Sequence, residues 1–177
     1  RVSYEEAVRR GGRKPLATRW VDVNKGDAAT PDVRSRLVAK DFAGVRDDAF
    51  FAATPPLEAL RMLLSDMMSG VRRGAEEVKM IVLDAKKAHL HAKAERDLFV
   101  ALPAEAGGGY AQLVRSLYGM RDAPALWEAF AAAQLTALGF QRGKSNACVY
   151  HHRRRGLRCL VHGCLLYTSP SPRDATL

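Results

Sequence analysis

Apolar and polar residues alternate like those of a strand over 17–24 (Ala-Thr-Arg-Trp-Val-Asp-Val-Asn), and 33–40 (Val-Arg-Ser-Arg-Leu-Val-Ala-Lys) reads as the returning strand. Such alternation puts successive side chains on opposite faces of a strand. With Lys25-Gly26-Asp27 as a turn, the two segments predict a basic β-hairpin. Residues 43–56 read as a loop that closes on Thr54-Pro55-Pro56, since proline is tolerated where a helix starts. Leu57, Leu60, Leu64, Met67 and Val71 then recur at spacings of three and four, which predicts an amphipathic helix with those residues buried. Residues 78–84 (Val-Lys-Met-Ile-Val-Leu-Asp) form a mostly apolar run ending in an acid, the pattern of a central strand.

Two short strands are predicted over 97–102 and 111–118, separated by Gly107-Gly108-Gly109. A helix follows over 122–138, with Asp122 as its cap, Pro124 in its first turn and Gly139 just past its end. A last strand pair, 147–152 and 157–162, crosses Arg153-Arg154-Arg155-Gly156. There is no internal repeat and no regular βαβ alternation, so the expected fold class is α+β.

Composition narrows the function classes. The 177 residues suit one domain, or one incomplete domain of something larger, and at 47% hydrophobic they can bury a core. The net charge of +9 and pI of about 9.8 fit a polyanionic partner such as nucleic acid, or simply a basic surface. Cys148, Cys159 and Cys164 show no C-x-x-C spacing, which argues against a zinc site or disulfide framework and for buried free thiols in a reducing compartment. No secretory signal and no membrane-length apolar run is visible, so no membrane partner is expected and the chain reads as intracellular. It starts at Arg1, as a segment internal to a longer reading frame would.

Asp84 is the first candidate for chemistry. An acid at the end of a buried strand is costly unless it is paired or bound to a metal; the alternative is an exposed cap for the turn that follows. His151-His152-Arg153-Arg154-Arg155 looks like a ligand or targeting motif at first sight. Adjacent strand residues face opposite ways, so the two histidines chelate poorly, and a solvated basic turn is the better reading.

Five segments, in order, resemble the copia-type reverse transcriptases. Arg36-Leu-Val-Ala-Lys40 with Phe42 resembles R-L-V-A-[RK]-G-F. Phe50-Phe-Ala-Ala-Thr-Pro55 resembles T-F-A-P, and Leu83-Asp84-Ala-Lys-Lys-Ala-His-Leu90 resembles D-V-K-x-A-F-L. Leu98-Phe-Val-Ala-Leu-Pro103 resembles V-Y-M-x-x-P, and Leu117-Tyr-Gly-Met-Arg-Asp-Ala-Pro124 with Trp127 resembles L-Y-G-L-K-Q-A-P-R-x-W. The resemblance covers roughly residues 17–163.

It implies a right-hand polymerase, fingers then palm, acting on an RNA or DNA primer–template and dNTPs within a longer polyprotein. Such enzymes use two Mg²⁺ ions held by carboxylates. Asp84 matches one catalytic, metal-binding aspartate. Arg36 and Lys40 match fingers positions that meet triphosphate or template phosphate, or are ordinary strand cations. Tyr118 and Gly119 match the nucleotide-pocket segment, although a packed core tyrosine is an equal reading. Arg121 stands where the family has lysine and would meet a phosphate. His89 replaces an aromatic beside the sugar of the incoming nucleotide, which puts discrimination against ribonucleotides in doubt. Asp41 and Asp122 replace a glycine and a glutamine, and acids near a template path would repel phosphate.

The family's two adjacent aspartates are absent. Leu160-Val161-His162-Gly163 resembles the strand leading into them, but Cys164 and Leu165 follow. From Cys164 to Asp174 the chain resembles the in-frame translation of a tagmentation sequencing adapter. The expected organisation is therefore a partial fingers–palm domain over 1–163, with its final palm hairpin missing, and a foreign tail over 164–177. Such a chain would be inactive as written. A non-catalytic nucleic-acid-binding module and a pseudogene product are the alternatives.

Overall fold

The computed structural model describes residues 1–42, 50–72 and 80–169. The chain forms two compact units, Arg1–Phe51 with His89–Trp127, and Ala52–Ala88 with Glu128–Leu177.

The first unit opens with helix α1 (Tyr4–Gly11), unforeseen by hydrophobic periodicity because only Ala7 is buried. Its signal is local: Ser3 accepts a hydrogen bond from the Glu6 amide at 3.2 Å, and acids fill the first turn. The expected hairpin is present as β1 (Thr18–Asn24) and β2 (Val33–Ala39), antiparallel with Trp20 opposite Leu37. Asn24 Oδ1 accepts from the amides of Gly26 and Asp32 and closes the loop between the strands. A second pair, β4 (Phe99–Ala101) and β5 (Tyr110–Gln112), is shorter than the predicted strands. Leu16, Leu98, Val100 and Met120 form the core of this unit.

The second unit is a five-stranded sheet with the order β3 (Ile81–Asp84), β9 (Leu165–Ser169), β8 (Leu157–His162), β7 (Val149–His152), β6 (Gln141–Arg142). All neighbouring pairs are antiparallel. Strand β8 lies in the middle and is buried on both faces. Cys159 and Val161 pack with Leu135 of helix α3 (Ala123–Ala137), and Leu160 packs with Leu63 of helix α2 (Leu57–Arg72). Alternation along one strand thus supplies two half-cores.

Three sequence expectations need correction. First, the buried stripe of α2 runs through Ala59, Leu60 and Leu63, while Leu57 and Leu64 are 55% and 38% exposed. Two stripes at helical spacing compete in this segment, and the one that meets the sheet is buried. The side chain of Val71 lies outside the described residues, as do 43–49 of the predicted loop and 78–79 of the predicted strand.

Second, the strand ending in Asp84 is not central. Strand β3 is the sheet's edge among the described residues, and Ile81, Val82, Leu83 and Asp84 are all exposed. A short apolar run looks the same in sequence whether or not neighbours cover it; β8, with apolar residues on both faces, takes the middle.

Third, the hairpin expected to be missing is closed. Residues 165–169 form β9 between β8 and β3, because Leu166 joins the core on the α3 side and Tyr167 that on the α2 side. The segment's alternation satisfies both faces. Of the predicted tail, 170–177 lie outside the described residues.

Candidate functional site

Asp84 is the last residue of β3, and its cross-strand neighbour is Leu165. The β8–β9 turn consists of Gly163 and Cys164, with Gly163 at φ 58°. The Cys164 carbonyl accepts the Ala85 amide at 2.9 Å, and the Cys164 thiol donates to the Asp84 carboxylate. That hydrogen bond, followed by partial burial and the Asp84 charge, pushes the Cys164 thiol pKa up. Positions 164 and 165 are therefore the immediate neighbours of Asp84.

The donor set does not suit a pair of hard dications as the chain stands. Mg²⁺ is held by carboxylate and other oxygen ligands; a thiol is a poor substitute and an isobutyl group is none. Among the described residues no three His, Cys, Asp or Glu side chains cluster to hold a metal ion.

The remaining predicted residues belong to the first unit. Arg36 is exposed on β2. The register puts it on one face of the hairpin with Arg19 and Arg34, and Arg34 is paired with Asp32 at 3.2 Å. Lys40, just past β2, is half-buried, and its amide donates to Ala17 at 2.8 Å. His89 Nδ1 lies 3.0 Å from the Ala123 carbonyl. A carbonyl only accepts, so Nδ1 carries a proton. The ring meets Tyr118 edge-on at 4.8 Å. His89 and Tyr118 are thus together, and both are half-buried.

Gly119 has a structural reason of its own. Its φ is +86°, and a Cβ there would lie 2.1 Å from the Ala39 carbonyl oxygen. The Tyr118 carbonyl accepts the Ala39 amide at 2.8 Å. The glycine lets this segment pass against the end of β2, a close approach that only glycine permits.

Arg96, which no pattern marked, organises the acids around it. Its guanidinium binds Asp122 through two hydrogen bonds of 2.7 Å and Asp41 through one of 2.8 Å. Arg13 lies 3.5 Å from the other oxygen of Asp41, and the Arg121 amide donates to Asp41 at 3.2 Å. Burial pushes the Asp41 carboxyl up. The hydrogen bonds from Arg96 and Arg121, with the charges of Arg96 and Arg13, outweigh it and hold the carboxyl below the usual carboxylate range. Asp122, foremost, and Asp41 raise the Arg96 pKa against the opposing effect of burial. The side chains of Asp41 and Asp122 are 1% and 6% exposed, so they are partners of one arginine and not acids bared to a template. The signal in sequence was the pair of departures itself, two acids gained where a shared cation compensates both. Arg121, expected to meet phosphate, lays its guanidinium over the Phe50 ring at 4.8 Å; Arg96 stacks on the same ring at 4.9 Å.

Comparison with known proteins adds an independent line. Residues 4–166 match the family described as Reverse transcriptase (RNA-dependent DNA polymerase). Over 152 residues, 80% of this chain, it is 28% identical to the Retrovirus-related Pol polyprotein from transposon TNT 1-94 of Nicotiana tabacum. That match spans about 11% of the polyprotein's length. No solved structure matches significantly. No helix among the described residues is long and apolar enough to cross a membrane.

Proposed function

Because the chain belongs to the reverse transcriptase (RNA-dependent DNA polymerase) family, we propose that it is the fingers–palm portion of a copia-type retrotransposon polymerase whose metal-binding acids gather at the β3–β9 end of the sheet. The observation that carries this is the contact between Asp84 and Cys164, with Leu165 opposite Asp84. Aspartates at 164 and 165 would stand beside Asp84, and three carboxylates there would make the oxygen-rich set that divalent cations require.

In the parent polyprotein the substrates are an RNA or DNA primer–template and dNTPs. Arg36 and Lys40 serve as phosphate contacts, and His89, Tyr118, Gly119 and Arg121 serve the nucleotide. For His89 the edge-on contact with Tyr118 favours this reading, since it presents two flat rings from one place. For Gly119 and Arg121 the role is indirect, through the backbone approach to Ala39 and the stacking on Phe50.

The chain as it stands binds nucleic acid without copying it. Residues 164–177 are a foreign tail whose first apolar residues replace the natural second strand of the hairpin. The alternation of Leu166 and Tyr167 into the two half-cores supports that replacement. Sequencing the source DNA across the Gly163 codon tests it. Two aspartate codons next are expected; a cysteine and a leucine codon there would leave the non-catalytic module or pseudogene reading.

A further inference from the structure

We propose that the turn between β7 and β8, Arg153-Arg154-Arg155, is a second contact for the phosphate backbone of a nucleic-acid duplex, separate from the β1–β2 hairpin. It rests on the reading of the chain as a nucleic-acid binder. The turn is short and held from beneath. Only four residues join His152 to Leu157, and Gly156 closes the turn at φ 64°. The Arg155 amide donates to His152 Nδ1 at 3.3 Å, and the Gly156 amide to the Arg153 carbonyl at 3.4 Å.

His152 is itself fixed. It is buried, meets Phe140 edge-on at 5.2 Å, and faces Gly139, where a Cβ would come within 2.9 Å of Nε2. Its Nδ1 accepts from the Arg155 amide, so the neutral ring carries its proton on Nε2. A buried imidazole thus sets the turn's backbone, and three adjacent guanidiniums project from it into solvent.

All three arginines are exposed, and no acid pairs with them among the described residues. Next to them on one sheet face stand the cross-strand partners His151 and Arg158, both exposed. Arg158 is already paired with Asp66, which leaves the turn as the open cationic edge. Like charges crowded on a fixed turn repel, and a polyanion relieves them. A duplex carries a phosphate charge about every 1.7 Å of its axis, which suits three closely spaced guanidiniums that each bind phosphate oxygens in a fork. A membrane surface fits less well, since it is held by apolar side chains beside the cations. No large exposed apolar residue lies in 149–158.

The test is the salt dependence of binding by the full chain to a short fluorescent DNA duplex. Replacing three phosphate contacts with Arg153→Gln, Arg154→Gln and Arg155→Gln should flatten the log K against log salt slope by about 2.7. The lost contacts correspond to roughly 40-fold of the affinity change between about 50 and 200 mM salt. Lysine at the same three positions should keep the slope. If the glutamine triple fails to fold, Arg154→Gln alone should flatten it by about 0.9. An unchanged slope in the glutamine variants, with the loss confined to Arg36→Gln and Lys40→Gln, overturns the turn's role and leaves the nucleic-acid reading standing. If the unaltered chain does not bind the duplex, both fall. Loss by the triple variant of binding to phosphatidylserine vesicles or polyglutamate, with duplex binding intact, also overturns the proposal.

Discussion

The thiol of Cys164 hydrogen-bonds the carboxylate of Asp84 across the end of the β3–β9 pair. That contact fixes which two chain positions are neighbours of the one acid the family resemblance marks, and it makes the identity of residue 164 decide what the site can bind.

The same contact sets thiol chemistry. Cys164 is exposed, while Cys148 and Cys159 are buried. Burial pushes the Cys159 thiol up to about 11, and burial followed by the Glu128 charge raises that of Cys148. One thiol should react with iodoacetamide in the native chain and all three after denaturation. Asp84→Asn removes the carboxylate that raises the Cys164 pKa, so labelling at neutral pH should become faster, because thiolate is the reactive form. Slower or unchanged labelling would deny the hydrogen bond.

Removing the arginine shared by two buried acids should be costly. Arg96→Met strips buried Asp122 of the cation bound to it and leaves Asp41 with only Arg13 at 3.5 Å, and should destabilise the first unit by about 3 kcal/mol in urea unfolding. Adding Asp41→Gly and Asp122→Gln should restore most of that loss, since the acids then no longer need the cation. Equal losses with and without the acid replacements would show that Arg96 acts through packing alone.

The Asp41 carboxyl has a lowered pKa in the fold, which gives its pH effect a definite sign. Its contribution to stability is fully present above the ordinary aspartate range. It fades as pH falls through the lowered value, because the unfolded chain takes up the proton first. The urea midpoint should therefore drop on acidification below about pH 4, and less steeply in Asp41→Asn than in the unaltered chain. Parallel acid limbs would contradict this.

Gly119→Ala should be severe for a small change. The residue sits at φ +86°, and the new Cβ would press against the Ala39 carbonyl oxygen. Strain and clash together should cost about 3 kcal/mol, with hydrogen-exchange protection of the Ala39 amide lost. A stability within about 0.5 kcal/mol of the unaltered chain would show that this backbone approach is not needed.

Much of this was legible in the chain, for physical reasons that differ by element. The β1–β2 and β7–β8 hairpins and helix α3 followed from strand-like runs, from alternation along β1, and from punctuation by glycine and proline. The opposite facing of His151 and His152 followed from strand geometry, and they are exposed and buried respectively. Helix α1 was hidden because it buries one alanine and is written in its cap. The place of β3 at the sheet edge was hidden because Ile81-Val82-Leu83 reads as core by composition, whereas β8 has more partners for both faces. Arg96 was hidden because a cation in a turn has no period; only its two acids, 55 and 26 residues away, reveal it. Asp84 was marked by resemblance, and its neighbours at 164 and 165 became visible only through the register of β9.

The central claim, that positions 84, 164 and 165 form one carboxylate site in the parent, is most directly tested by binding of Mn²⁺ to the chain carrying Cys164→Asp and Leu165→Asp, followed by electron paramagnetic resonance, with circular dichroism to confirm the fold. A bound Mn²⁺ that appears with the two substitutions and disappears when Asp84→Asn is added is the predicted result. A folded double variant that binds no Mn²⁺, or binds it equally well without Asp84, would contradict the account.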